Sequence, residues 1–84
     1  MNASENRIAV IGIVVLRRSD AAKRVNAVLS EHGEVIVGRM GVPYRERELS
    51  VIALIVDATT DEIGALTGKL GNIEGVKVKA AMTL

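Results

Sequence analysis

The chain has 84 residues, 49% of them hydrophobic, with 11 basic and 10 acidic side chains and a formal net charge of +1. This balance gives no general attraction to nucleic acid or anionic lipid. The absence of cysteine excludes disulfides, thiolate metal sites and cysteine nucleophiles. With no Phe or Trp and a single Tyr, the core must be aliphatic and offers no aromatic platform for nucleic-acid bases.

Residues 7–84 are predicted to form a single domain, preceded by a polar extension at residues 1–6. The extension lacks the features of a signal peptide. The longest apolar run, residues 8–16, is too short to cross a bilayer as a helix. The sequence therefore predicts a cytoplasmic protein with no membrane association.

The first half of the chain predicts a strand, a helix and a strand. Residues 7–16 are rich in β-branched side chains and are typical of a strand. In the helix that follows, Ser19 is the predicted N-cap, Asp20 lies in the first turn and Gly33 is the stop. The second strand is predicted over residues 34–40. Within the predicted helix, apolar residues and one histidine recur at helical spacing: Ala22, Val25, Val28, Leu29 and His32.

The second half predicts a charged hairpin at residues 41–47, a third strand at 49–57, a helix and a fourth strand at 75–84. Thr59 and Glu62 have capping-box spacing at the start of the helix. The fourth strand alternates apolar and lysine residues at its start, as an edge strand with one wet face does. The buried side of the helix is predicted to consist of Ile63, Leu66, Thr67 and Leu70.

The order βαββαβ predicts an α/β (α+β) fold of the ferredoxin-like class. Right-handed crossovers would place both helices on one face of a four-stranded antiparallel sheet. In this arrangement the first and third strands are central, and the second and fourth strands are the edges.

Both faces of the two central strands are apolar. In the first strand, the alternate set that starts at Ile8 is as hydrophobic as the set that starts at Ala9. An uncovered face of this kind exceeds the few hundred Å² that monomers usually expose. Covering ~500 Å² contributes on the order of 12 kcal/mol before association entropy is subtracted. We therefore predict a homo-oligomer, a dimer or a tetramer, formed through the sheet. Shielding by a loop or terminus is the alternative, but residues 1–6 are too polar for it.

The segment at residues 38–50 contains the only proline and the only aromatic residue of the chain. Its guanidinium groups could bind a carboxylate or phosphate bidentately, and the tyrosine could supply an apolar wall. The interpretation we favour is a solvated hairpin whose Arg and Glu side chains pair with one another or across a subunit interface, for ~0–1 kcal/mol each. The candidate ligand-binding or interface residues are Arg39, Met40, Tyr44, Arg45, Glu46 and Arg47.

Gly64, Gly68 and Gly71 lie on one stripe of the second predicted helix. A glycine inside a helix costs ~1 kcal/mol relative to alanine, so the stripe indicates that something approaches closely. We predict close packing against the first helix. Another subunit, a ligand, or a helix that ends near Gly71 are the alternatives.

No catalytic or metal-binding motif is present in the sequence. His32 is the only histidine, and a single imidazole without clustered partners makes a poor metal site. Asp57, Asp61 and Glu62 cluster at the start of the second helix, where carboxylates are stabilising in themselves. The sequence therefore predicts a protein that is not an enzyme and has no cofactor.

Two long blocks, "VGRMGVPYRER" and "TTDEIGALTGKLG", resemble the family of iron-only hydrogenase system regulators, which are small ACT-like domains. The resemblance extends from Arg7 to the C-terminus. It implies an ACT-like fold and a regulatory, small-molecule-sensing role in transcription regulation. The expected working unit is an oligomer with a small-molecule effector at the subunit interface near residues 39–48. The alternative is a ligand-free oligomeric adaptor or protein-interaction module.

The chain is also similar to the C-terminal domain of the nickel-responsive repressor. The nickel-ligand positions of that domain fall on Met40, Val42 and Glu48, none of which keeps the ligand type, so the nickel site is not carried over. The repressor binds DNA through a separate preceding domain, so direct nucleic-acid binding is not expected here. Amino-acid-binding ACT domains place a glycine near the end of strand one, where this chain has "LRRSD", so amino-acid binding is not implied either.

Overall fold

The computed structural model describes residues 6–17 and 20–84, and Ser19, the predicted cap of the first helix, lies outside them. The elements follow the predicted order βαββαβ. Two short 3-10 turns, Gly33–Val35 and Arg45–Arg47, flank the second strand. The strands and helices are β1 (Arg7–Leu16), α1 (Ala21–Glu31), β2 (Ile36–Tyr44), β3 (Leu49–Ala58), α2 (Thr60–Gly71) and β4 (Val76–Met82).

The four strands form one antiparallel sheet in the order β2-β3-β1-β4. β1 and β3 pair without interruption, from Arg7 opposite Ala58 to Leu16 opposite Leu49. The predicted assignment of central and edge strands is therefore confirmed, and with it the ferredoxin-like α+β fold.

Both helices cover the same face of the sheet. Ile11 on β1 and Leu54 on β3 are fully buried, and Leu29 of α1 and Leu66 of α2 pack into the same core. Each side chain of this size contributes about 1.5–3 kcal/mol when it is removed from water. The largest fully buried side chains are Ile11, Ile13, Val25, Leu29, Leu54, Val56, Leu66 and Leu70.

β2 begins later and ends later than predicted. Gly33–Val35 forms a 3-10 turn instead of strand, while pairing with β3 continues to Tyr44 opposite Leu49. Pro43 fits within β2 because one side of an edge strand needs no partner for its backbone N–H. The predicted hairpin at residues 41–47 is therefore wrong in extent. The chain turns at residues 45–48, where Glu48 adopts a left-handed conformation with φ 54°.

The predicted capping box at the start of α2 is confirmed. The Glu62 N–H donates to Thr59 Oγ1 at 3.1 Å, and the Thr59 N–H donates to Glu62 Oε1 at 2.9 Å. An N-cap of this type stabilises a helix by about 1 kcal/mol. The predicted buried side is confirmed as well, since Ile63, Leu66 and Leu70 are buried and Thr67 is half-buried.

The start of α1 differs from the prediction. Asp20 is the N-cap residue, with φ 73° and no side-chain cap, so it precedes the first turn instead of lying in it. The helix consequently turns Ala21 toward the sheet with Val25 and Leu29, four residues apart, and leaves Ala22 exposed. Its end is as predicted, because it stops before Gly33.

β4 has the predicted alternation: Val76 is buried, Val78 is half-buried, and Lys77 and Lys79 are exposed. It is shorter than predicted at both ends. Gly75 has φ 86° and lies in the turn before the strand, where its carbonyl accepts a hydrogen bond from the Leu16 N–H at 2.7 Å. Within residues 6–17 and 20–84, no helix is long and apolar enough to cross a membrane.

Candidate functional site

β2 directs its alternate side chains to the two sides of the sheet. Arg39 and Gly41 pair with the buried residues Leu54 and Ile52, so they belong to the face that carries the helices. Met40 pairs with Ala53, which is exposed, so it belongs to the opposite face. The same short strand therefore contributes to two different surfaces.

The six candidate residues of the charged segment do not form one site. Arg39 lies beside α1, and Met40 lies on the uncovered face of the sheet. Tyr44, Arg45 and Glu46 line a shallow hollow at the end of β2. The last of the six, Arg47, lies at the turn beside the end of β1. In the part of the chain that the structure describes, Arg39, Arg45 and Arg47 do not form a single clamp.

The predicted pairing of Arg and Glu side chains within the hairpin is also not present. Across residues 6–17 and 20–84, the only ion pair joins Lys69 Nζ to Glu31 Oε1 at 3.7 Å, and it links the two helices. Pairing of the hairpin charges across a subunit interface remains a prediction.

A groove with a volume of about 210 Å³ lies between α1 and β2, on the helix side of the sheet. We call it the α1–β2 groove. Its floor is apolar, because Val15, Val25 and Ile52 are 9% exposed or less. Gly41 helps to keep it open: a Cβ at this position would approach Ile52 Cγ1 to 3.9 Å and occupy part of the space. The groove is lined by Val15, Ala22, Val25, Asn26, Arg39, Gly41, Val42, Pro43, Ser50 and Ile52.

Three polar side chains border the α1–β2 groove: Asn26 of α1, Arg39 of β2 and Ser50 of β3. Arg39 Nη2 donates to Asn26 Oδ1 at 3.4 Å, a long hydrogen bond. Arg39 has no ion pair with any residue in the described part of the chain. Its guanidinium group therefore retains donors for an anionic group in the groove.

The sequence pattern identified Arg39 but missed Asn26 and Ser50. Asn26 is one of several polar residues on α1, and Ser50 lies at the start of an apolar strand. Nothing in their local sequence marks them, because only the packing of α1 over the sheet brings them to the groove.

The second surface of interest is the sheet face that the helices leave uncovered, which we call the open face. The pairing of β1 and β3 shows which side chains lie next to each other on this face: Val10 is opposite Ile55, and Val14 is opposite Val51. The prediction that the central strands are apolar on both faces is confirmed. The exposed large hydrophobic residues of the open face, with their exposed fractions, are Ile8 (38%), Val10 (41%), Met40 (65%), Val42 (48%), Tyr44 (44%), Val51 (37%) and Ile55 (48%).

The glycine stripe of α2 does not mediate packing between the two helices. A Cβ at Gly64 or Gly68 would meet no atom within 4 Å, and one at Gly71 would make an ordinary contact of 3.5 Å with Val78 Cγ1. The predicted close packing against helix one is therefore wrong for these positions, because the stripe lies on an exposed flank of α2. The alternative of a helix that ends near Gly71 is confirmed, since α2 ends at that residue. Contact with another subunit or a ligand remains an untested alternative.

No group of three or more His, Asp or Glu side chains in the described residues is placed to hold a metal ion. Met40 and Val42, which occupy nickel-ligand positions of the similar repressor domain, are both on the open face. His32 is the C-cap residue of α1, at the helix end where it was predicted.

The architecture defines the class of protein first. A four-stranded antiparallel sheet with two helices on one face is the ACT-like form of the ferredoxin fold. The ACT domain of GTP pyrophosphokinase from Chlorobium tepidum has the same fold, with a TM-score of 0.75 and 20% identity over 90% of this chain and 99% of that one. The C-terminal domain of the MgtC protein from Mycobacterium tuberculosis also shares it, with a TM-score of 0.68 and 14% identity over 99% and 94% of the two chains.

The family follows from residues 7–80, which match the TM1266-like family, described as "Iron-only hydrogenase system regulator, putative". The chain belongs to this family. The uncharacterized protein TM1266 from Thermotoga maritima is 41% identical over 95% of this chain and 100% of that chain, with a TM-score of 0.93. No curated protein sequence matches the chain.

Proposed function

We propose that this chain is an effector-binding regulator of the iron-only hydrogenase system that works as a homo-oligomer. Membership of the regulator family and the ACT-like fold support a regulatory role. The observation that carries the effector-binding part is the α1–β2 groove, which has an apolar floor and, at its rim, an Arg39 that forms no ion pair with any described residue.

The chemistry of the groove favours a small carboxylate with a short aliphatic group. Arg39 would bind the carboxylate, and the Asn26 amide and Ser50 hydroxyl would complete the hydrogen bonds. The buried Val25 and Ile52 would contact the aliphatic part. The volume of about 210 Å³ lies below the ~300–1,000 Å³ of pockets that hold drug-sized ligands, so the effector is small.

β2 offers a physical route from the groove to the surface of assembly. Arg39 and Gly41 face the groove, while Met40 and Val42, between and beside them, lie on the open face. A ligand that joins Asn26 on α1 to Arg39 on β2 would fix the position of this edge strand. Such a ligand acts as a switch only if it binds the free and assembled states with different affinity.

NMR titration of the isotope-labelled protein with acetate, propionate and alanine tests the proposal, with phosphate as the contrasting anion. We expect the carboxylates to shift the Asn26 side-chain amide and the Gly41 backbone amide. Arg39→Gln should weaken binding by about tenfold or more, because it removes a charge-assisted hydrogen bond. Arg45→Gln and Arg47→Gln are matched controls outside the groove and should bind as the wild type does.

An equal loss in Arg45→Gln would move the effector to the end of the hairpin. Absence of binding for all probes, together with no retained mass in native mass spectrometry of protein purified without oxygen, would contradict an effector role.

The second candidate function is a ligand-free oligomeric adaptor, and the size of the open face favours it. Seven large apolar side chains are more than a third exposed there. A surface of this kind indicates a protein interface. Native mass spectrometry distinguishes the two candidates: an oligomer with added small-molecule mass supports the regulator, and a clean oligomer that is indifferent to Arg39→Gln supports the adaptor.

A further inference from the structure

Gly12 lies in the middle of β1, and nothing in residues 6–17 and 20–84 explains a glycine there. Its φ is outside the left-handed region, so other residues could adopt its backbone conformation. A Cβ built on it would meet no atom of the described residues within 4 Å. Strand positions favour β-branched residues, and a glycine in a strand often marks the close approach of a ligand or another backbone. The space above Gly12 is therefore available to a group from outside the chain.

The strand register shows that this space is a trough across the open face. Gly12 lies opposite Lys79 on β4 and Ala53 on β3, and Ala53 lies opposite Met40 on β2. One row of the sheet thus has small side chains at its centre and long ones at its ends. We call this row the Gly12 trough. The rows on either side of it carry branched side chains at the centre: Val10 and Ile55, and Val14 and Val51.

We propose that the open face binds the open face of a second copy of this chain, and that each Gly12 trough receives the partner subunit's Met40. The inference rests on the homo-oligomer part of the proposed function and specifies its interface. Met40 is the most exposed of the large apolar residues on the open face, at 65%. Its unbranched, polarizable side chain suits an irregular gap. Reciprocal insertion satisfies two-fold symmetry, in which each contact occurs twice.

The dimensions of the open face suit a second copy. At ~4.8 Å between strands and ~3.4 Å per residue, four strands of this length cover roughly 20 by 30 Å, or about 600 Å² in projection. A stable interface of ordinary size buries about 800 Å² of accessible surface per partner, and a pleated surface exceeds its projection. The open face, including its rim, therefore offers an area of the order that a dimer requires.

The charges of the open face also agree with this arrangement. Lys77 and Lys79 lie on the open face at the β4 edge. Met40 lies on β2, at the edge of the sheet opposite β4. When it inserts into the partner's trough, the two sheets are displaced sideways relative to each other, toward β2. β4 and its two lysines then lie at the rim of the overlap and not at its centre. Interface cores are depleted of charged residues, while rims are polar and accessible to solvent.

Sedimentation velocity over a dilution series of the full chain tests the proposal. We expect a dimer, which Gly12→Val and Met40→Ala each weaken by about tenfold or more, with the far-UV circular dichroism spectrum unchanged. The matched controls lie away from the open face. Gly68→Ala changes a glycine of α2 that also has open space around it, and Met82→Ala changes an exposed methionine opposite Ala9 on the helix side. Both should associate as the wild type does.

A wild-type chain that stays monomeric at high concentration overturns the proposal and assigns the open face to a different protein. Wild-type affinity in Gly12→Val also overturns it. If that variant does not fold, Ala53→Val, which fills the same trough from β3, decides the question by the same criterion. If the proposed effector site is wrong, the result is different: the dimer still forms, but the chain binds no carboxylate.

Discussion

The two faces of the central strands β1 and β3 are similarly apolar but lie in opposite environments. On β3, Leu54 is fully buried, while its neighbour Ile55 is 48% exposed. On β1, Ile11 is fully buried and Val10 is 41% exposed. The difference lies in the helices: α1 and α2 both cover one face, and nothing in the described chain covers the other.

The comparison shows that hydrophobicity alone does not report burial within a protomer. A sheet with one face in water usually has polar residues on that face, and β4 follows this rule with Lys77 and Lys79. The central strands do not. Their open face has the composition of an interior, which is why we assign it to an interface.

The largest expected effect is the loss of stability on truncation of a residue of the helix face. Leu54→Ala should lower the free energy of unfolding by about 3 kcal/mol, because it leaves a cavity in the core. Ile55→Ala, one residue away on the open face, should cost less than about 1 kcal/mol at concentrations where the chain is monomeric. Urea denaturation measures both. Equal losses at low concentration would remove the distinction between the two faces.

The next effect concerns association. Ile55→Lys places a charge on the open face and should weaken self-association by about a hundredfold, while the monomer keeps its fold because the side chain can reach water. Size-exclusion chromatography with light scattering reports the change. Lys77→Met at the rim is the opposite test and should leave the dimer intact or strengthen it slightly. Unchanged assembly in Ile55→Lys would contradict our assignment of the open face.

A smaller and opposite effect is expected on α2. Gly68→Ala should raise the free energy of unfolding by up to about 1 kcal/mol, since alanine is the better helix former and its Cβ has open space. Thermal unfolding detects this gain. Destabilisation, or a change in the oligomeric state, would show instead that the glycine stripe contacts a second subunit.

The smallest effect is predicted for the ion pair between the helices. Lys69 and Glu31 are 3.7 Å apart, and their side chains are 49% and 61% exposed. Lys69→Ala should therefore change the free energy of unfolding by only a few tenths of a kcal/mol, as exposed pairs usually do. A double-mutant cycle with Glu31→Ala measures the coupling. A coupling well above 1 kcal/mol would mean that the helix layer depends on charge more than on the apolar core beneath it.

Much of the fold was predictable from local signals. β1 was predicted at its observed bounds, because a long β-branched run ends at charged residues. The cap of α2 was predicted because the hydrogen bonds between Thr59 and Glu62 involve residues three apart in sequence. The end of β2 was not predictable in the same way, since Gly41 and Pro43 are typical of turns. Their place in a strand depends on pairing with β3.

The candidate site was predicted less completely than the fold. The charged segment drew attention to Arg39, but its neighbours in space come from α1 and β3, distant in sequence. The three arginines, which sequence proximity grouped together, are separated by strand alternation and by the turn at residues 45–48. The glycines of α2 were interpreted as a packing surface, and the packing of α1 and α2 leaves all three of them exposed.

The sequence by itself determined the order of elements, the buried side of α2, and the apolar character of both faces of the central strands. These follow from periodicity and capping, which act over a few residues. Only the tertiary structure decided which face the helices cover, which residues border the α1–β2 groove, and that no described residue fills the space above Gly12. These depend on contacts between residues far apart in the chain, and no local pattern records them.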